Sequence, residues 1–188
     1  LPLFILMGIV AARAGFAGAL YEAAYAFFGH RKGGLAISSI TACGGFGAVC
    51  GSSLATVATM SHVAVPPMLR YGYSPQLAAG SVATGATLAI LIPPSLPMII
   101  YAYLTEVSIG KLFAAGIIPG ILGVILYAVT TSIWVHFDPK AGPAGDRKSW
   151  SQRWRSLSGV WAIILLFFAV LGGIFAGLFS PTEGAAVG

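Results

Sequence analysis

Cys43-Gly44-Gly45-Phe46-Gly47-Ala48-Val49-Cys50-Gly51-Ser52-Ser53 is the stretch that decides how this chain folds. Each glycine costs a helix about 1 kcal/mol relative to alanine, so this run is a poor place for one continuous helix. It lies in the middle of an uncharged interval, residues 33–69, bracketed by His30-Arg31-Lys32 and Arg70. Basic residues flanking membrane segments favour the cytoplasmic side, so an even number of crossings must separate these two groups. Two full spans need about 40 residues plus a turn, and Gly33 to Met68 supplies 36. A break at Gly51 leaves halves, Leu35 to Cys50 and Ser53 to Pro66, of about 24 and 21 Å. The expectation is therefore a re-entrant helical hairpin over about 35–66 that enters and leaves from the cytoplasm. Its tip stops inside the membrane, where irregular backbone is tolerated only if buried in protein or lining a cavity.

The rest of the composition agrees with a lipid solvent. The 188 residues are 57% hydrophobic and 8% charged, with a mean hydropathy of +0.90, against roughly 25% charged in soluble domains. That excludes a water-soluble enzyme, a disordered tail and a free nucleic-acid-binding module, and makes the lipid bilayer the first partner. The net charge of +5 serves as a topology map. Lys140, Arg147, Lys148, Arg153 and Arg155 place the loop 138–156 in the cytoplasm. Leu112 to Phe137, with Pro119 inside it, and Leu157 to Phe179 each fit one span. Gln76 to Leu104 returns the chain from Arg70 inside to Thr105-Glu106-Val107-Ser108 outside. Trp134 and Trp161 then fall near the inner interface and Tyr101 and Tyr103 near the outer one, as aromatic belts require.

The first thirty residues read as the end of one helix, Leu1 to Ala12, a turn at Arg13-Ala14-Gly15 and an amphipathic interfacial helix to Phe28. One long span would bury both Arg13 and Glu22, at about 2.5 to 3.5 kcal/mol for a central charge. The interfacial helix turns Phe16, Leu20, Ala23, Ala24, Phe27 and Phe28 toward the apolar side. The divisions expected are 1–30 (helix end and interfacial arm), 31–107 (hairpin and broken helix), 108–137, 138–156 and 157–188. Absence of an initiator Met or charged leader, and the stop at Gly188, suggest an internal piece of a larger protein.

A second break falls in Ile90-Leu91-Ile92-Pro93-Pro94-Ser95-Leu96-Pro97. Proline lacks an N–H and clashes with the preceding turn, so the helix about 76–104 should unwind near mid-membrane. The freed carbonyls of Leu88 to Leu91 then need partners, and Ser95 with Pro97 reads as a restart cap for the outer half. A hairpin tip and a broken helix at similar depth bring helix ends together, with negative partial charge on carbonyls and positive on N–H groups. Secondary transporters use this arrangement for Na⁺ and an anionic substrate. The candidate ion and substrate site is Gly51, Ser52, Ser53, Thr56, Pro93, Pro94 and Ser95, with Na⁺ on backbone and hydroxyl oxygens at Ser52, Ser53 and Pro93, since hard cations take oxygen ligands. Capping at a kink is an equally good account of Ser52, Ser53 and Thr56 taken alone. For the prolines alone a plain kink is the better one, and the coincidence of the two breaks favours the site.

Other features carry less. Ala78-Ala79-Gly80-Ser81, Ala83-Thr84-Gly85-Ala86 and the pair Gly116 and Gly120 read as close helix packing. Cys43 and Cys50 lie about 10 Å apart along a helix, too far for a disulfide. His62 reads as an ordinary interior or interface residue, and no Asp or Glu lies deep in a span, which argues against a carboxylate proton relay. No HExxH, GxSxG or paired-carboxylate pattern is present, and Ser52 and Ser53 have no base nearby, so an enzyme is not expected, nor an organic cofactor.

These residues resemble a known family. The likeness is carried by Leu-Pro-Leu-Phe-Ile-Leu-Met-Gly at 1–8, Gly-Gly-Leu-Ala-Ile at 33–37, Cys-Gly-Ser-Ser-Leu-Ala-Thr at 50–56, Arg-Tyr-Gly-Tyr at 70–73 and Leu-Ile-Pro-Pro-Ser at 91–95. Ser-Ile-Gly-Lys-Leu-Phe-Ala-Ala-Gly-Ile-Ile-Pro-Gly at 108–120 and Ser-Pro-Thr-Glu-Gly-Ala-Ala-Val-Gly at 180–188 complete it. Together, in this order, they resemble the large membrane subunit (DctM type) of tripartite ATP-independent periplasmic (TRAP) transporters. Only the loop Asp138 to Arg155 lacks the likeness, as a variable linker would. The resemblance implies an all-α polytopic membrane protein of the bacterial inner membrane, an elevator-type transporter repeat with a re-entrant hairpin and a discontinuous helix. It implies Na⁺-coupled uptake of an organic acid, with a small membrane subunit and a periplasmic substrate-binding protein as partners. The chain would cover the first inverted repeat and the start of the second, and the helix to Phe28 would be the family's interfacial arm. Two positions depart from the family. Cys50 stands where Ser is frequent, leaving backbone or Ser53 to supply oxygen there. Ala89 stands where Gly is frequent, which suggests looser packing against the hairpin. A proton-coupled elevator transporter and a non-transporting scaffold subunit are the alternatives.

Overall fold

The computed structural model describes residues 2–178 and 183, the side chains of residues 2–5 excepted, and among them helices are the only regular structure. Helix α1 (Pro2–Arg13) turns into α2 (Phe16–Phe28), as expected. The hairpin follows as α3 (Gly34–Cys50) and α4 (Ser53–Arg70), about 25 and 27 Å long. Next come α5 (Pro75–Thr87), a 3-10 turn at Leu88–Ile90, an unwound segment and α6 (Leu96–Thr105). The chain continues through α7 (Ile109–Phe137), α8 (Trp150–Ser158) and α9 (Trp161–Phe175). The expected end of the last span at Phe179, and the block 180–188 with the start of a second repeat, lie outside the described residues, residue 183 excepted.

Helix α3 is the axis of the molecule. Its residues are apolar or small all round, so no face is suited to water, and fifteen of its seventeen residues are buried. Helices α1, α2, α4, α5 and α7 pack around it, and Leu35, Cys43 and Phe46 form one core with Met60, Met68, Leu77 and Val82 from α4 and α5. Small residues allow the close approach: a Cβ on Gly85 would lie 3.0 Å from the Cβ of Cys43, and one on Gly120 2.6 Å from Ile92. The packing reading holds for Gly85, Gly116 and Gly120, whereas Gly80 meets nothing within 4 Å. Cys43 and Cys50 are free.

The outer surface is apolar. Helix α7 is long and apolar enough to cross a membrane by itself, and it exposes Ile118, Ile121, Ile125, Val129 and Trp134. Within the expected span Leu157 to Phe179 the helix is α9, which meets the preceding α8 at a bend of 47°. The turn at Gly159 and Val160 separates them. The loop expected over 138–156 is likewise corrected, because its second half is helical. Ser149 and Gln152 form a reciprocal capping box that starts α8. Helix α4 also runs past its expected end, through Pro66 and Pro67 to Arg70. On α2 the apolar face packs on the hairpin: Ala17, Tyr21 and Ala24 are buried, the phenylalanines half-buried, and Glu22 is exposed.

Segment 138–149 is no loose linker. The amide of Gly33 donates to the carbonyl of Gly142 (2.9 Å), that of Ser74 to Ala141 (2.9 Å), and that of Gly145 to Gly29 (2.8 Å). Asp146 accepts from the Tyr71 hydroxyl, and its amide donates to the Tyr25 hydroxyl (3.0 Å). The segment thus straps the ends of α2, α3, α4 and α5 together.

Candidate functional site

The hairpin breaks at Gly51, as its sequence requires. Gly51 adopts φ 62°, ψ 15°, the left-handed conformation that ends α3, and its amide closes the helix on the Gly47 carbonyl (2.7 Å). Ser52 is extended and caps α4, its hydroxyl accepting from the Ala55 amide (3.4 Å). Its carbonyl accepts from the Thr56 amide (3.0 Å). Thr56 is fully buried, and its hydroxyl lies 3.1 Å from the Cys50 thiol. Cys50 therefore fills a structural role that sequence reading missed, pinning the last residue of α3 to the first turn of α4. Ser53 is half-buried, and its hydroxyl has no hydrogen-bond partner among the described residues.

The second break sits directly against the first. The amide of Leu96, at the start of α6, donates to the Gly51 carbonyl (3.3 Å). A Cβ on Gly51 would sit 2.8 Å from the Pro94 carbonyl oxygen and 3.5 Å from the Ser95 Cα. Of the seven candidate residues, Gly51, Pro94 and Ser95 are in immediate contact, Ser52 and Thr56 are bonded to one another beside them, and Pro93 is buried in the same turn. The hydroxyl of Ser53 is bonded to none of the others.

Ser95 corrects one expectation. It occupies the cap position of α6, yet its hydroxyl gives that helix no cap bond. It donates instead to the Ile90 carbonyl (2.8 Å) and is fully buried. The reason is Pro94, whose missing N–H would have served Ile90 in a continuous helix. The hydroxyl serves a carbonyl that the missing N–H would otherwise leave without its helical partner. Leu88 is served by the amides of Leu91 (3.0 Å) and Ile92 (2.8 Å). The carbonyls of Pro93 and Pro94 accept no hydrogen bond among the described residues. Ala89 corrects another expectation. It is fully buried, and a Cβ on Gly47 would lie 2.5 Å from its Cα and Cβ, so the alanine is tightly packed because glycine faces it.

The arrangement is an oxygen-rich junction without a formal charge. The C-terminal end of α3 presents carbonyls, while the N-terminal ends of α4 and α6 present amides. Free acceptors are the carbonyls of Pro93 and Pro94 and the Ser53 hydroxyl, a donor set that fits a hard monovalent cation.

A model of the tripartite ATP-independent periplasmic transporter DctM component matches residues 1–188, the whole chain. The chain belongs to the DctM family. It is 44% identical over its full length to the C4-dicarboxylate TRAP transporter large permease protein DctM of Pseudomonas aeruginosa, covering 43% of that protein. It is 38% identical over 98% of its length to the ectoine TRAP transporter large permease protein TeaC of Halomonas elongata, covering 43% of it. The sialic acid TRAP transporter permease protein SiaT of Haemophilus influenzae is 33% identical over 99% of this chain, which covers 30% of it. The chain thus spans less than half the length of these relatives. Membership in a family of membrane transport permeases accords with the exposed apolar faces of α7 and α9.

Proposed function

We propose that this DctM chain contributes one half of the ion and substrate pathway of a sodium-coupled TRAP transporter taking up an organic acid across the bacterial inner membrane. The observation that carries the proposal is the Leu96–Gly51 hydrogen bond, which joins two helix breaks into one neutral, oxygen-lined junction. Helix ends held this way bind ions through partial charges alone. Na⁺ would be held by the Pro93 carbonyl, the Ser53 hydroxyl and oxygen from Ser52, with Gly51, Pro94, Thr56 and Ser95 shaping the backbone around them. The amide ends of α4 and α6 would meet the substrate carboxylate. In this reading α3 to α6 form one half of the moving body of an elevator, α2 is the arm that carries it, and 138–149 lies in the cytoplasm. The remaining half, a small membrane subunit and a periplasmic binding protein complete the transporter. The relatives' names, which cite C4-dicarboxylate, ectoine and sialic acid, support a small polar substrate and do not single one out.

The test is uptake of labelled C4-dicarboxylate and sialic acid by the whole transporter in proteoliposomes, with its binding protein outside. A Na⁺ gradient should drive accumulation and a proton gradient alone should not. Proton-driven uptake in Na⁺-free buffer would overturn the coupling.

A further inference from the structure

The opposite end of the molecule holds a cleft that the ion site does not use. A cavity of about 560 Å³ between α2 and α8 is lined by Glu22, Tyr25, Lys148, Gln152, Arg155 and Ser156. It shares Glu22, Tyr25 and Lys148 with a neighbouring cavity of about 240 Å³ that reaches Tyr21 and Tyr71, so the two form one cleft. Its charges are of both signs, and none of Glu22, Lys148 and Arg155 is in an ion pair among the described residues. Lys148 holds its ammonium 5.7 Å from the Tyr25 ring centroid. Tyr21 is 7% exposed, and its hydroxyl is buried without a hydrogen-bond partner. A buried hydroxyl left unpaired beside a cavity marks a missing acceptor or donor.

The surroundings place this cleft at headgroup depth. Helix α8 buries none of its residues and exposes Trp150 and Trp154, four positions apart and so on one face, each at 68%. Trp161 follows at 62%. Tryptophan with interleaved arginine is the composition of a helix lying in the membrane interface. The Arg153 guanidinium stacks on Phe27 of α2 (5.8 Å) and on Trp150 (5.0 Å), fixing α8 beside α2. Two interfacial helices therefore flank a polar slot that opens where phospholipid headgroups lie.

The charge pattern selects among headgroups. Lys148 and Arg155 suit a phosphodiester, while Glu22 and the tyrosine rings and hydroxyls suit a cation that can also donate hydrogen bonds. An anionic headgroup would meet the Glu22 carboxylate unfavourably, and a quaternary ammonium has no N–H to give. We propose that the α2–α8 cleft binds the headgroup of an aminophospholipid, a phosphodiester joined to a primary ammonium, and so ties the arm helix to the lipid surface. The proposal rests on the membrane placement of this chain and is independent of sodium coupling.

The experiment is native mass spectrometry of the full-length protein in detergent, titrated with phosphatidylethanolamine, phosphatidylcholine and phosphatidylglycerol, with soluble glycerophosphoethanolamine as a further arm. Phosphatidylethanolamine should be retained most strongly. The double variant Lys148→Gln and Arg155→Gln should weaken it about tenfold, the loss expected for charge-assisted hydrogen bonds. Glu22→Gln should shift the preference toward phosphatidylglycerol. Equal retention of the three lipids, or a preference that both variants keep, would overturn the site. Binding of the soluble headgroup as tight as the lipid would replace a lipid with a metabolite and overturn it too, as would a cleft found filled by a segment of the full-length protein. The variants should keep any Na⁺-dependent melting shift of the parent, so loss of lipid preference is read separately from loss of the ion site.

Discussion

The two ends of the hairpin are held in opposite ways. At its base, backbone bonds from Gly33 and Ser74 to the strap and from Gly145 of the strap to Gly29, the Tyr25–Tyr71–Asp146 cluster, and a bond from the Leu35 amide to the Tyr73 hydroxyl (3.1 Å) fix α3 and α4. At its tip a single longer bond, Leu96 to Gly51, joins it to the broken helix. The base is multiply bonded and includes the Asp146 carboxylate; the tip has no acidic or basic side chain, and a backbone bond alone hydrogen-bonds it to the broken helix among the described residues.

Substitutions can break or sharpen that contrast. The largest effect is expected at Gly51, where alanine would combine left-handed backbone with a Cβ 2.8 Å from the Pro94 oxygen. Gly51→Ala should cost about 2–4 kcal/mol, read as a lower melting temperature in detergent and as loss of any Na⁺ response. Ser95→Ala comes next. It removes the donor of the Ile90 carbonyl, at a cost of about 1–1.5 kcal/mol, and Ser95→Thr, which restores a hydroxyl, should recover part of the melting temperature. At the base the expectation is smaller. Tyr71→Phe removes the bonds to Asp146 and Tyr25 at an exposed position, and with the strap's backbone bonds intact it should lower stability by less than about 1 kcal/mol. A base variant as damaging as the tip variants would mean that the strap, and not the tip, is the fragile latch.

Much of the hairpin was legible because charge and glycine placement are local signals. Lys32 and Arg70 bracket the helix pair, and Gly51 with the cap residue Ser52 set the turn to the residue. The prolines at 93, 94 and 97 likewise marked the second break. What sequence could not supply was the partner of each freed group. Ser95 reads as a cap in isolation, and only the fold shows that Ile90 has the stronger need of its hydroxyl. The strap was hidden for another reason: its bonds join residues far apart in the chain, 121 positions for Asp146 and Tyr25. Its hydrophilic composition looks like any loop. The capping pair Ser149 and Gln152 was the readable sign that α8 begins there.

The central claim is that the joined breaks hold Na⁺. The most direct measurement is the melting temperature of the full-length protein in detergent, in Na⁺ against K⁺ at equal ionic strength, for the parent and Ser53→Ala. The Ser53 hydroxyl has no partner among the described residues, so its loss should leave the K⁺ value unchanged. A bound ion at ten times its dissociation constant adds about 1.4 kcal/mol. A Na⁺-specific rise is expected in the parent, and it should shrink in Ser53→Ala. Equal melting in Na⁺ and K⁺ for both proteins would contradict the claim.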